Sequence, residues 1–167
     1  ADDVPATGPV GGASAEKALA RLEGLVGLDR VKRRVRELVD TLEVERLRGE
    51  QGPLGAHFVF LGNPGTGKTT VARILADVFH AIGLLPSNTL VEVDRAALVS
   101  SVANETAKRV HTLCDQAMGG VLFIDEAYTL RQNEYDSSGK EAIDTLLKRM
   151  EDDRGKFVVV AAGYTRE

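Results

Sequence analysis

The polar and apolar positions of this chain alternate between short, nearly continuous apolar runs and longer stripes at helical spacing. Four runs read as strands: His57 to Leu61, Thr89 to Val93, Gly120 to Ile124 and Lys156 to Ala162. Between them lie three helical patterns. Thr70 to Phe79 carries apolar residues at helical spacing, and Thr106 to Met118 gathers Val110, Leu113, Cys114 and Ala117 on one side. Ser138-Gly139-Lys140-Glu141 has capping-box spacing and opens a third helix through Ile143, Leu146, Leu147 and Met150. Upstream, Ala15 to Glu23 is a short helix, Gly24 to Leu28 a tight turn with two glycines, and Asp29 to Arg48 a longer helix. The stripe of that longer helix is Val31, Val35, Leu38, Val39 and Leu42. Apolar strands alternating with helices predict an α/β fold, a parallel sheet joined by right-handed crossovers with helices on both faces. Residues 1–14, with Pro5, Gly8, Pro9, Gly11 and Gly12, read as a flexible linker implying something attached upstream, and 15–167 as one domain.

The link between the first strand and its helix is chemically specific. Gly62-Asn63-Pro64-Gly65-Thr66-Gly67-Lys68-Thr69 fits the phosphate-loop pattern, set between a strand and a helix. Glycines at 62, 65 and 67 let successive N–H groups converge on one concavity at a helix N-terminus, where an anion is favoured. Lys68 would add a full charge against the outer phosphates, and the Thr69 hydroxyl would ligate Mg²⁺. A plain glycine turn joining strand to helix is the bland alternative.

Asp125-Glu126 follows the third strand, at the sheet end where ligands collect. Asp125 would hold Mg²⁺, usually through water, and Glu126 would polarise a water for in-line attack on the terminal phosphate. A phosphate loop alone fits kinases, GTPases and ATPases alike; the acid pair favours water as nucleophile. The competing account makes the two acids a cap at a strand exit.

Composition narrows the partners. With 167 residues, 43% hydrophobic and 28% charged, one core is expected, and a net charge of -4 argues against nucleic acid or anionic membrane as the main partner. Arg30, Lys32, Arg33, Arg34 and Arg36 make a basic run, read as a solvated face or one edge of a subunit contact rather than a nucleic-acid surface. The single Cys114 excludes an internal disulfide and suits a reducing compartment; with no membrane-length apolar run and no signal-peptide pattern, the expected location is the cytoplasm. His111 and Cys114 lie three apart without a second pair, and both read as packing residues rather than metal ligands.

Taken together, Gly62 to Thr70 and Leu122-Phe123-Ile124-Asp125-Glu126-Ala127 resemble the nucleotide motifs of an AAA+ ATPase. Gly119 to Leu130, Glu141 to Leu147 and Met150-Glu151-Asp152 narrow the resemblance. They are similar to the group containing the CbbX-type rubisco activases, the stage V sporulation protein K family and the AAA+ components of type VII secretion. The resemblance implies a three-layer P-loop NTPase, the AAA+ large subdomain, that hydrolyses ATP with Mg²⁺. Glu126 and Lys68 would be catalytic. Asn63, Pro64, Gly65, Thr66, Gly67, Lys68, Thr69 and Thr70 would hold nucleotide, and Thr69 and Asp125 the metal. It further implies that Val26 and Gly27 border the adenine and that Tyr164 takes the polar sensor position after the fourth strand.

A homo-oligomeric, hexameric ring that remodels a protein partner is the family's usual assembly, without membrane insertion. The family's fifth strand, arginine finger and helical lid would lie beyond Glu167, so the resemblance implies a C-terminally truncated domain with weak turnover by itself. Val102 stands where the group carries an aromatic pore residue, and Asn104 where it carries glycine. That departure leaves open a second function, nucleotide-dependent assembly as a scaffold with little hydrolysis.

Overall fold

The computed structural model describes residues 12–27, 29–49, 57–61 and 67–163. Among these residues four parallel strands form one sheet: β1 (Phe58–Leu61), β2 (Leu90–Val93), β3 (Val121–Ile124) and β4 (Val158–Gly163), in the order β1-β4-β3-β2. Registers run Leu61↔Gly163, Ile124↔Ala161 and Val93↔Ile124, so the carboxyl ends of all four strands share one edge of the domain. The chain leaves β1, passes through α3 (Lys68–Ala81) to the far strand β2, then returns by α5 (Glu105–Ala117) to β3 and α6 (Ser137–Asp152) to β4. A right-handed crossover travelling one way puts its helix on one face, and crossovers travelling back use the other.

Side-chain alternation along the strands shows the resulting layers. Val121, Phe123, Val158, Val160 and Ala162 point into a core shared with α3, with α1 (Gly12–Glu23) through Ala18 and Leu22, and with α2 (Asp29–Leu47) through Val35 and Val39. Leu122, Ile124, Phe157 and Val159 point the other way, onto Val110, Cys114 and Ala117 of α5 and Ala142 and Leu146 of α6. Every residue of β3 is buried. Hence its run of four apolar residues shows no polar alternation, as a strand covered on both faces requires. Each fully buried Leu, Ile or Phe here contributes roughly 1.5–3 kcal/mol of burial.

Four details differ from the sequence-based expectation. Helix α1 starts at Gly12, inside the stretch assigned to linker, because Ala18 and Leu22 supply enough burial to carry the turn before them. A four-residue helix, α4 (Arg95–Leu98), follows β2 directly, with Asp94 as its cap accepting from the Ala97 N–H at 3.0 Å. Helix α6 is capped by Asp136, whose carboxylate accepts from the Gly139 N–H at 2.9 Å, and not at Ser138. His111 is exposed rather than packed, its Nδ1 lying 3.1 Å from Arg149 Nη1.

Cys114 is fully buried, and burial pushes its thiol up to about 11, against the opposing pull of the Arg149 charge. The basic run of α2 is partly spent locally: Lys32 donates to the carbonyls of Leu25 and Glu23, Arg36 pairs with Glu23 at 2.5 Å and Arg34 with Glu37 at 3.4 Å. No helix among the described residues is long and apolar enough to cross a membrane.

His57, just before β1, is stitched into the sheet: its Nδ1 accepts the Val159 N–H at 2.9 Å, which fixes the proton on Nε2. Burial first, and then the Arg154 charge, lower its pKa. A depressed histidine is held neutral by the fold, so its stabilising effect is intact above about pH 6.5 and is lost as pH falls from there towards the folded-state value. Urea titrations at about pH 7.5 and about pH 5 should show a lower midpoint at the acidic end, with His57→Phe flattening the difference. An equally steep pH dependence in that variant would assign the effect elsewhere.

Candidate nucleotide site

Two features stand at the carboxyl edge of the sheet. The first is the start of α3. Gly67 takes φ 76, the left-handed conformation that glycine adopts without strain, and turns the chain into Lys68 at the first helical position. The cap offers no side-chain acceptor and the first turn carries no acidic residue, so the helix end keeps its N–H groups and partial positive charge for an incoming anion. Thr69 and Thr70 are exposed there. Asn63, Pro64, Gly65 and Thr66 lie outside the described residues, as does Tyr164, which follows the end of β4.

The second feature is the exit of β3. Asp125 and Glu126 are both exposed, and the Asp125 N–H donates to the Val93 carbonyl at 2.8 Å, so the pair emerges beside the end of β2. Strand β4 lies between β1 and β3, which separates the acid pair from the β1 exit by two strand spacings, about 10 Å. That gap is wide enough for a phosphate chain and narrow enough for one ligand to reach both ends. Glu126 holds φ 50, ψ 46, left-handed for a residue with a β-carbon. Such a conformation costs of order 1–3 kcal/mol and persists where the surroundings impose it, often at working sites. Glu126 opens the 3-10 turn Ala127–Leu130, yet its side chain makes no capping bond.

Asp125 Oδ1 accepts the Glu126 N–H at 2.9 Å, which steadies the turn and leaves the Glu126 carboxylate facing solvent. The capping account of the pair therefore reaches Asp125 only in part and Glu126 not at all.

The donor set suits a hard cation. A threonine hydroxyl at 69 and a carboxylate at 125 would both offer oxygen donors, and no group of three or more His, Cys, Asp or Glu among the described residues could cage an ion alone. Magnesium, which keeps waters and shares its shell with phosphates, fits that donor set.

An open cleft of about 780 Å³ adjoins Glu126, lined also by Arg95, Ser100, Thr129, Gln132 and Asp136. The sequence pattern did not single out Arg95, Thr129 or Asp136. The nearest signal was an Asp at the strand exit ahead of Arg-Ala-Ala-Leu, which is a cap signature. Beyond the cleft, Val102 is 61% exposed and Asn104 takes φ 66. Asparagine is the residue that best tolerates the left-handed region after glycine, so this position keeps a glycine-like backbone without a glycine.

A parallel sheet in the order β1-β4-β3-β2, a helix opening after β1 and an acid pair at the exit of β3 define a nucleotide-binding domain of P-loop NTPase architecture. The chain belongs to the ATPase family associated with various cellular activities (AAA), whose profile matches residues 58–167.

It is 43% identical over 150 residues to stage V sporulation protein K of Bacillus subtilis, covering 87% of this chain and 47% of that protein. It is 40% identical over 158 residues to the ESX-1 secretion system protein EccA1 of Mycolicibacterium smegmatis, covering 90% of this chain and 28% of that one. Against the ESX-3 secretion system protein EccA3 of Mycobacterium tuberculosis the identity is 43% over 156 residues, with 89% and 24% covered. The chain thus spans about half or less of the length of these relatives. The crystal structure of the FIGL-1 AAA domain in complex with ADP shares the fold at TM-score 0.58, with 24% identity over 84% of this chain and 47% of that one.

Proposed function

We propose that this domain binds ATP with Mg²⁺ and hydrolyses it to ADP and phosphate, using the energy to remodel or assemble a protein partner. The observation that carries the reading is Glu126: a carboxylate held in a costly backbone conformation, exposed, at the carboxyl end of β3.

In this reading the backbone from Asn63 to Thr70 cradles the phosphates and Lys68 balances their outer charge. Thr69 and Asp125 hold magnesium, which neutralises charge on the terminal phosphates when bound. Glu126 accepts a proton from the attacking water and orients it. Val26, fully exposed, and Gly27, at φ 78, would offer backbone to the adenine. Tyr164, directly after β4, would reach the terminal phosphate as a polar sensor. Full-length protein would assemble as a homo-oligomeric ring of six.

A second reading has one observation behind it. Val102 presents far less surface than an aromatic would for gripping a threaded chain, which favours a nucleotide-gated scaffold with slow turnover. Steady-state phosphate release from MgATP by the full-length protein separates the two. Turnover well above the rate without protein supports the motor; tight ATP binding without release supports the scaffold.

A further inference from the structure

We infer that Arg95 is a positioning residue for Glu126, acting through the 3-10 turn Ala127–Leu130; the inference rests on the role proposed for Glu126. Arg95 is the first residue of α4, and its side chain is three-quarters buried, at 24% exposure. Nη1 donates to the Thr129 carbonyl at 2.9 Å, the Leu130 carbonyl at 2.7 Å and Asp136 Oδ2 at 2.7 Å, while Nη2 donates to Asp136 Oδ1 at 3.2 Å. Both carbonyls belong to the turn that Glu126 opens.

From there the connection to Glu126 is one step. The Thr129 N–H and hydroxyl both donate to the Glu126 carbonyl, at 2.8 and 2.7 Å. On its other side the Glu126 N–H is held by Asp125. The left-handed backbone of Glu126 is therefore clamped at both its carbonyl and its N–H, and one clamp is anchored on Arg95.

Asp136 anchors the arginine in turn. Its carboxylate also accepts the N–H groups of Gln132 and Gly139, at 3.0 and 2.9 Å. The Arg95 guanidinium first, then those two N–H groups, hold its carboxyl far below the usual carboxylate range. Packing leaves no slack: a β-carbon on Gly139 would stand 2.0 Å from the Leu130 carbonyl oxygen. Four contacts from one planar fork, two to carbonyls of the turn and two to the Asp136 carboxylate, are what a guanidinium provides and an ammonium does not.

A purely architectural role, tying α4 to α6, would use the same contacts, so the test must read catalysis apart from folding. On the full-length protein, Arg95→Met should lower kcat for MgATP hydrolysis about 10- to 100-fold, the scale of a displaced reacting group, with nucleotide Kd within about two-fold. Arg95→Lys should recover part of the rate. Combined with Glu126→Gln, Arg95→Met should add nothing to the loss in single-turnover rate, because the group it orients is already gone.

A folded Arg95→Met with kcat within about two-fold of wild type would overturn the inference, as would losses that multiply in the double variant. Should Arg95→Met not fold, Thr129→Val removes only the hydroxyl clamp, and a kcat loss of about three-fold or more with unchanged Kd is expected. An unchanged kcat in Thr129→Val would then overturn it. If Glu126→Gln itself turns over at the wild-type rate, the reading of Glu126 fails and this inference with it. If Glu126→Gln is arrested and Arg95→Met is not, the inference alone fails.

Discussion

Lys68→Ala should weaken ATP binding by about 10- to 100-fold while leaving the fold intact. Lysine at this position opens α3, behind a cap with no side-chain acceptor and ahead of a first turn with no acid. The proposed contact is a charged hydrogen bond to phosphate, a class of interaction whose net contribution is roughly 1.5–3 kcal/mol, and every 1.4 kcal/mol is about ten-fold in affinity. Alanine is a good residue at the first helical position, so the urea midpoint should shift by no more than about 0.5 kcal/mol equivalent. Calorimetry with MgATP checks the first half and denaturation the second. Undiminished affinity would count decisively against a phosphate site at this helix end.

Glu126→Gln should separate binding from turnover. The amide keeps the shape and the left-handed backbone, which Thr129 and Asp125 hold through main-chain atoms rather than through the carboxylate. What is lost is the ability to take a proton from water, an effect of roughly 10²- to 10⁴-fold in rate for a positioned general base. Phosphate release should therefore fall to that extent while Kd for MgATP is maintained within about two-fold. Equal rates in wild type and variant, both binding ATP, would discard the hydrolytic reading and leave the scaffold.

The parts of this domain that could be read from the chain are those whose residues are dictated by burial alone. The strand Val121–Ile124 is apolar throughout because both its faces are covered, and such a run between two helical stripes admits few other placements. Where local chemistry offered two solutions, pattern was insufficient. Ser138 has the spacing of a cap, yet Asp136 takes the role because an arginine from a distant segment fixes its carboxylate there. Helix α4 is a single turn, too short to leave a periodic signature. His111 lies on α5 among packing residues but faces Arg149 and solvent, a choice of helix face that one residue cannot announce. The phosphate loop and acid pair were visible as types and spacing, and the residues that orient Glu126 were not, since they come from three separate stretches of chain.

The lone sulfhydryl gives this domain an internal clock. Cys114 sits wholly inside the layer between α5 and the sheet and gives up its proton only near pH 11, so an alkylating reagent at neutral pH meets neither access nor thiolate while the layers stay closed. Modification of the native protein thus times the parting of α5 from β3. Since β3 delivers Asp125 and Glu126, a ligand gripping that strand's end would slow the clock, with the label carried by a residue of α5 and not by the acid pair.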